Sequence, residues 1–309
     1  MKKKERAALR YALDVLEESG GERLFATPAE ADRYLDEERN SWESARGRGP
    51  ESQSSRVTKQ EIRERVWRLL ESKRVARFPG ARGRIPNFTG AEHCAQHVAE
   101  LDVWKRAKVI KANPDSSQRA IRHLALKEGK TIYMAVPRLR EKKCFVELDP
   151  ERIGRRLYEA SSIKGAFELG RQVAVEEMKP VDLILCGTVA VRRDGARVGK
   201  GGGYSDLEYA ITRELGLVGA RTPIITTVHP LQLVDDEIEL KPHDIPVDFI
   251  ITPEETIPTR TKLPRPKGVY WEYLDQDKID AIPLLRDAAQ DGIAQPPPKR
   301  ATKAKSAKD

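Results

Sequence analysis

Short apolar runs alternate with amphipathic helical segments through the middle of this 309-residue chain. The clearest run is Val181–Cys186, which is apolar at nearly every position and is typical of a strand buried in a parallel sheet. Further strands are predicted at 107–112, 131–136, 223–228 and 247–252, and helices at 117–128 and 204–215. This alternation predicts an α/β fold, with a mostly parallel sheet covered by helices on both faces.

The chain on either side of this region differs in character. Residues 1–57 are predicted to form a helical extension that ends in a linker rich in Gly, Arg, Ser and Pro. Thr58 and Glu61 then form a capping box, which predicts the first helix of an α/β domain spanning residues 58–287. Residues 288–309 contain three consecutive prolines and many lysines and are predicted to be a disordered basic tail.

The end of the predicted domain gives the weakest pattern. Prolines and charged residues dominate from Ile257 onward. Within this stretch, Tyr270–Tyr273 is the candidate for a last strand and 279–285 for a last helical turn.

The composition limits the classes of partner. The net charge is +8 and the pI is about 9.3, so phosphorylated ligands are plausible. The last eleven residues carry +4 of that charge, which makes nucleic acid a less favoured partner for the remainder of the chain.

No apolar stretch approaches the roughly 18 residues that a membrane span needs. The three cysteines lack metal-type spacing and fit the reducing conditions of the cytoplasm. We expect no membrane partner, a monomer or small homo-oligomer, and a core position for Cys186.

The most informative segment for chemistry is the glycine loop, Gly199–Gly203. Four of its five residues lack a Cβ, so their backbone N–H groups can approach an anion closely. Ser205 and Glu208 have capping-box spacing and predict a helix directly after the loop, which is a favourable place for an anion. Because the loop matches neither G-x-x-x-x-G-K-[ST] nor G-x-G-x-x-G, a flexible glycine-rich hairpin stays open as an alternative.

Asp206 falls in the first turn of the predicted helix. A carboxylate there suits the helix dipole but would repel a phosphate unless a divalent cation lay between them. Mg²⁺ commonly binds through one or two carboxylates together with phosphate oxygens. The residues alone therefore indicate a site for a Mg²⁺-bound nucleotide.

The string Arg197–Asp206 resembles the R-x-G-x-G-x-G-Y-Y-D signature of 5-formyltetrahydrofolate cyclo-ligases, also called methenyltetrahydrofolate synthetases. The resemblance covers roughly residues 58–287 and is strongest to the methenyltetrahydrofolate synthetase domain-containing subgroup. That subgroup has runs similar to four others in this chain, Arg84–Phe88, Val136–Arg140, Asp206–Ala210 and His243–Asp248.

The resemblance implies an ATP- and Mg²⁺-dependent enzyme that cyclises 5-formyltetrahydrofolate to 5,10-methenyltetrahydrofolate. It implies that the phosphates of ATP lie against residues from Gly199 to Tyr204, including Lys200, Gly201, Gly202 and Gly203, with catalytic contacts from Arg197, Lys200 and Tyr204. It also implies nucleotide contacts from Lys59 and Arg63, Mg²⁺ ligation by Asp206 and Asp244, and folate contacts from Pro137 and Arg138.

Several of these residues have a simpler alternative. Lys59 and Arg63 lie four positions apart and could form a solvated helix face. Asp244 could cap a turn before Pro246, and Arg138 could pair with a structural acid. His229 at a strand end is a further candidate, because the ends of parallel strands line ligand crevices.

Two departures weaken the folate half of the resemblance. Ser205 replaces the second tyrosine of the signature, and Ser117 lies near the position of a substrate-contacting glutamate, with Asp115 as an imperfect substitute. A rival hypothesis is therefore a cyclo-ligase-like protein that binds a nucleotide or RNA without folate activity. The chain has no RNA-recognition signature, so RNA affinity would have to come from charge.

Overall fold

The structure is a computed structural model that describes residues 57–136 and 139–290. Residues 1–56 of the predicted helical extension, the folate candidates Pro137 and Arg138, and residues 291–309 of the predicted tail lie outside the described residues.

Within the described ranges the chain forms helices and strands in alternation. The helices are α1 (Lys59–Ser72), α2 (Cys94–Glu100), α3 (Asp102–Arg106), α4 (Arg119–Lys127), α5 (Pro150–Ile153), α6 (Leu157–Ala160), α7 (Ile163–Leu169), α8 (Tyr204–Glu214), α9 (Gln276–Ala281) and α10 (Pro283–Gln290). The strands are β1 (Val109–Ala112), β2 (Thr131–Ala135), β3 (Phe145–Leu148), β4 (Arg171–Val173), β5 (Leu183–Cys186), β6 (Ala190–Val191), β7 (Arg197–Val198), β8 (Ile224–Thr227), β9 (Phe249–Ile251) and β10 (Thr256–Pro258).

Eight of these strands form one sheet in the order β10-β9-β8-β5-β1-β2-β3-β4. The five strands from β9 to β2 are parallel, with Ile110 paired to Ile132 on one side and to Leu183 on the other. Every residue of β1, β5 and β8 is buried. Because successive side chains point to opposite faces, this burial means that both faces are covered. The predicted mostly parallel α/β fold is confirmed.

Antiparallel strands close both edges of the sheet. At one edge β3 and β4 follow β2, and at the other β10 pairs with β9. The prediction of a last strand at Tyr270–Tyr273 is wrong, because Trp271–Tyr273 is a 3₁₀ turn with no buried residue. The apolar and polar residues alternate in this stretch, but the stretch does not pair with any strand of the sheet. The true edge strand ends in Pro258, an accepted position because an edge strand tolerates a missing N–H.

Helix α1 packs away from the sheet and against the two-stranded hairpin of β6 and β7. The capping box at Thr58 and Glu61 is confirmed: Thr58 Oγ1 accepts from the N–H of Glu61 at 3.2 Å, and Glu61 Oε2 accepts from the N–H of Thr58 at 2.8 Å. The buried residues of α1 join the hairpin in a second hydrophobic cluster, which includes Val66, Trp67 and Val198. This packing fixes α1 beside the glycine loop that follows β7.

Two further features are the position of large and sulfur-containing side chains in the core and the length of the apolar helices. Cys186 is fully buried, as predicted, and Trp67 and Trp104 also lie in the core. Within the described ranges, no helix has both the length and the apolar character that crossing a bilayer requires.

Candidate functional site

The glycine loop leads from β7 directly into α8. Gly201 has a φ of 115° and Gly203 a φ of 67°, conformations that L side chains rarely adopt. Gly203 is the N-cap of α8, so the helix begins at Tyr204. A Cβ on Gly202 would come within 2.9 Å of the Tyr204 ring, so a larger residue there would force the ring to shift.

The capping box predicted from Ser205 and Glu208 is wrong. Because the left-handed Gly203 starts the helix, Ser205 is its second residue and makes no cap hydrogen bond. Its Oγ instead lies 3.5 Å from Oδ1 of Asn113, after β1. Glu208 forms a buried ion pair with Lys111 of β1, whose Nζ also donates to Asn113 at 3.3 Å.

Lys111 was not anticipated by sequence reasoning, since a lysine in a predicted strand is usually read as solvent-facing. Only 1% of Lys111 and 5% of Glu208 is exposed. Removing two charges from water is costly unless they are paired with good geometry. The pair ties the first turns of α8, and therefore the loop, to the centre of the sheet.

Asp206 lies in the first turn of α8, as predicted, and is held from two sides. Its Oδ1 accepts from Nη2 of Arg197 at 2.6 Å and from the N–H of Ile245 at 3.1 Å. Arg197 also donates to the carbonyl of Gly187 at 3.1 Å. Burial alone would lower the pKa of Arg197, but the charge and hydrogen bond of Asp206, together with the charges of Cys186 and Asp244, outweigh burial, and the pKa is raised.

The helix face of α1 that carries Lys59 and Arg63 is turned toward the loop. Arg63 Nε donates to the carbonyl of Gly199 at 2.7 Å, and Lys59 forms an ion pair with Asp244. Burial lowers the pKa of Arg63, with Asp244 and Asp206 acting in the opposite direction. The alternative of a solvated helix face is therefore wrong for this pair.

Asp244 also caps its own turn, as the alternative interpretation had it. Its Oδ2 accepts from the N–H of Lys241 at 2.6 Å while it pairs with Lys59. Its neighbour Ile245 donates to Asp206, so the two predicted metal ligands are connected through one loop. Among the residues that the structure describes, no group of three or more His, Cys, Asp or Glu side chains is arranged to hold a metal ion.

Lys278 is the residue at the loop that sequence reasoning missed. Its Nζ donates to the carbonyl of Gly202 at 2.7 Å and lies 4.9 Å from the centre of the Tyr204 ring. Asp275 caps the start of α9 by accepting from the N–H of Lys278 at 2.7 Å, and Ile279 buries the helix in the core. The cap could be recognised in the sequence, but not the surface on which the helix docks.

A second polar cluster follows β1 at the same edge of the sheet. The guanidinium of Arg122 is buried and donates to the carbonyls of Asn113 at 2.7 Å and Asp115 at 2.9 Å. Burial lowers the pKa of Arg122 to about 10. This arginine fixes the shape of the segment that carries Asp115 and Ser117.

Ser117 is buried in this segment, and Asp115 is half-buried. Within the described residues, Asp115 Oδ2 and Ser117 Oγ have no hydrogen-bond partner, and neither do the two amide atoms of Gln118. Burial raises the pKa of Asp115, partly opposed by the nearby charge of Lys200. A Cβ on Gly187, after β5, would collide with the carboxylate of Asp115. The charge of Lys200, in the glycine loop, therefore acts on the carboxyl of Asp115.

The histidine at the end of β8 has a structural function. His229 Nδ1 accepts from the N–H of Leu231 at 3.2 Å, and its own N–H donates to Gln232 at 2.8 Å. Burial lowers the pKa of His229. These contacts cap a 3₁₀ turn and account for the residue without a ligand.

The fold and site define an open α/β protein with a glycine loop at the carboxyl edge of a parallel sheet. The chain belongs to the 5-formyltetrahydrofolate cyclo-ligase family, whose model matches residues 55–253. Lys278 lies after the end of that match. The resemblance found in the sequence is confirmed.

Two curated relatives are named methenyltetrahydrofolate synthase domain-containing protein. The Bos taurus protein is 38% identical over 234 residues, covering 74% of this chain and 61% of the relative. The Mus musculus protein is 39% identical over 235 residues, covering 75% of this chain and 63% of the relative. This chain thus spans less than two thirds of the length of these relatives. The NMR structure of Aquifex aeolicus 5,10-methenyltetrahydrofolate synthetase is 22% identical, with a TM-score of 0.41, and covers 67% of this chain and 95% of its own.

Proposed function

We propose that this chain is an ATP- and Mg²⁺-dependent cyclo-ligase that closes 5-formyltetrahydrofolate to 5,10-methenyltetrahydrofolate. The observation that carries the proposal is the glycine loop, which is contacted by cations from two separate helices. Arg63 of α1 donates to Gly199 and Lys278 of α9 donates to Gly202. Family membership supplies the reaction.

The loop fits the phosphates of a nucleotide. Its glycines leave the backbone N–H groups accessible, and a Cβ on Gly201 would lie 3.7 Å from the guanidinium carbon of Arg63, in the space between loop and arginine. An anion in that space would meet Arg63, with Lys59, Lys200 and Lys278 at its margins.

The two carboxylates fit Mg²⁺ in their chemistry. Asp206 and Asp244 offer hard oxygen ligands, and one oxygen of each is held by a cation and a backbone N–H. Two carboxylates with phosphate oxygens form a usual Mg²⁺ site. When bound there, Mg²⁺ would neutralise charge on the phosphates and help to orient them.

The chemistry joins a phosphoryl group to the formyl oxygen, and that oxygen then leaves as phosphate when the neighbouring folate nitrogen attacks the formyl carbon. Such a reaction depends on positioning and charge neutralisation more than on a protein nucleophile. In this proposal Lys200 and Tyr204 contact the phosphates directly. Arg197, buried against Asp206, acts by holding that carboxylate in place.

The folate half is proposed on the neighbouring polar cluster. Pro137 and Arg138 follow β2, the strand next to β1, and remain the candidates for folate contact. Asp115 is added to them because its raised pKa favours a neutral carboxyl, which can donate as well as accept a hydrogen bond. The unpaired cysteines fit the reducing conditions of the cytoplasm, where we place the activity.

The test is the absorbance of the methenyl product when the purified full chain is mixed with 5-formyltetrahydrofolate, ATP and Mg²⁺. A signal that disappears when either ATP or Mg²⁺ is omitted supports the proposal. If calorimetry detects ATP binding but no methenyl product forms, the folate reaction is refuted and the proposed phosphate site is still supported.

A second candidate function is a cyclo-ligase-like protein that binds a nucleotide or RNA without folate activity. The observation in its favour is that Ser205 contacts Asn113 instead of covering a ligand, and that Ser117 is buried. This candidate predicts ATP affinity without turnover, so the same pair of measurements distinguishes it from the first.

A further inference from the structure

A wide basic groove lies at the amino-terminal edge of the sheet, away from the glycine loop. It has a volume of about 870 Å³ and is bounded by the end of α8, the chain entering β8 and the segment 258–267. The glycine loop is at the opposite end of α8, whose eleven residues span roughly 16 Å. The groove is therefore separate from the site of the proposed cyclo-ligase reaction.

Positive charge is concentrated around this groove. One carboxylate, Asp248, lines it, and that carboxylate is paired with Arg265 and accepts from the N–H of Ile224 at 2.7 Å. The groove is lined by six cations, Arg213, Arg221, Arg260, Lys262, Arg265 and Lys267. Like charges gathered in one concave surface repel each other and raise the local concentration of anions.

The cations are held by the fold. Arg265 donates to the carbonyls of Ala220 at 3.1 Å and Thr222 at 2.7 Å, and Arg213 donates to that of Val218 at 3.1 Å. Segment 258–267, which carries Arg265, contains three prolines, and these restrict its backbone. The exposed side chains of this segment, such as Arg260, thus project from a stiff support.

The surface between the cations is apolar. Phe249, Pro223, Pro258 and Pro266 also line the groove. Inorganic polyphosphate would gain nothing from such a surface, whereas a nucleic acid strand combines anionic phosphates with flat, weakly hydrated bases. A single mononucleotide would leave most of the six cations without a partner.

We propose that this groove binds single-stranded nucleic acid, with the five cations other than the paired Arg265 on the phosphates and Phe249 and the prolines against the bases. A single strand suits the groove because its bases are exposed and its backbone can enter a cleft. In a duplex the bases are stacked inside, out of reach of the apolar surface. The proposal does not depend on the cyclo-ligase reaction.

The test compares two double variants of the full chain by fluorescence anisotropy with a labelled single strand of about 20 nucleotides. The groove variant is Arg260→Gln with Lys262→Gln. The control is Arg68→Gln with Lys164→Gln, which removes the same charge from exposed positions elsewhere. Both keep residues 299–309, so the basic tail contributes equally.

The groove variant should bind about tenfold more weakly than the control. The slope of its log affinity against log salt concentration should be shallower by roughly 1.4, because about 0.7 is lost per phosphate contact on a single strand.

An equal loss of affinity in both variants would show that only net charge matters and would overturn the proposal. Equal affinity for a duplex of the same sequence would overturn the single-strand assignment. Unchanged methenyl formation in the groove variant would confirm that the two sites are independent, and its loss would overturn that independence.

Discussion

The guanidinium of Arg197 donates to the carboxylate of Asp206 at 2.6 Å, and only 2% of the arginine side chain is exposed. The same carboxylate oxygen accepts from the N–H of Ile245, in the loop that carries Asp244. Asp206 therefore connects the hairpin, the start of α8 and the second proposed metal ligand. A substitution there affects both chemistry and stability, and the two effects need separate measurements.

Asp206→Asn should lower kcat for methenyl formation about 100-fold or more, because metal coordination supplies several kcal/mol of transition-state stabilisation. It should also lower the free energy of unfolding by about 3 kcal/mol, because a buried arginine loses its counter-charge. Rates should be measured well below the melting temperature found for each variant. Asp102→Asn, in the first turn of α3 and exposed, is the control. Undiminished turnover by Asp206→Asn would contradict the metal assignment.

Lys278→Met should raise the KM for ATP about tenfold and leave the melting temperature nearly unchanged. The reason is that a charge-assisted hydrogen bond to phosphate contributes about 1.5–3 kcal/mol, while the methionine keeps the stem that covers Tyr204. Steady-state kinetics with ATP varied will measure the change. Lys105→Met, at an exposed position of α3, is the matched control. If both variants have the KM of the parent chain, Lys278 only caps the Gly202 carbonyl.

Lys111→Met and Glu208→Gln should each lower the free energy of unfolding by about 3–5 kcal/mol, because each leaves one buried charge without its partner. The double variant should lose much less than the sum of the two. Urea unfolding of all four proteins gives the coupling energy directly. Additive losses would mean that the buried pair does not interact.

Asp115 should make the stability of the ligand-free chain depend on pH. Its pKa is raised in the folded state from the ordinary value of 3.8, so the folded state binds more protons than the unfolded state above that value. Stability contributed by the protonated carboxyl is present below 3.8 and is lost as the pH rises toward the folded-state pKa.

Asp115→Asn removes this titration while keeping the side-chain shape. The difference in unfolding free energy, variant minus parent, should increase steadily when urea melts are repeated at rising pH from about 4 to 7. A difference that is the same at every pH would show that Asp115 is not perturbed.

Local patterns predicted much of the fold. The capping box at Thr58 and the buried run at Val181–Cys186 involve neighbours in sequence, so the chain itself specifies them. The antiparallel edge strands β3 and β4 were not predicted, because short edge strands make few contacts and have weak patterns.

The site was predictable where its motif is contiguous. The glycine loop and the position of Asp206 follow from one stretch of sequence. The failed capping box at Ser205 shows the limit, because the left-handed φ of Gly203 moved the start of the helix. Lys111 and Lys278 reach the site through tertiary packing of distant elements, and no local spacing encodes such contacts.

The carbonyl groups of Gly199 and Gly202 are held by side chains from opposite ends of the described chain, Arg63 near its beginning and Lys278 near its end. Both contacts join segments that are far apart in sequence, and long-range closure follows local ordering. During synthesis, the glycine loop would therefore be among the last parts to acquire its final shape. Recovery of ATP affinity during refolding should lag behind the burial of Trp104, which lies in the main core.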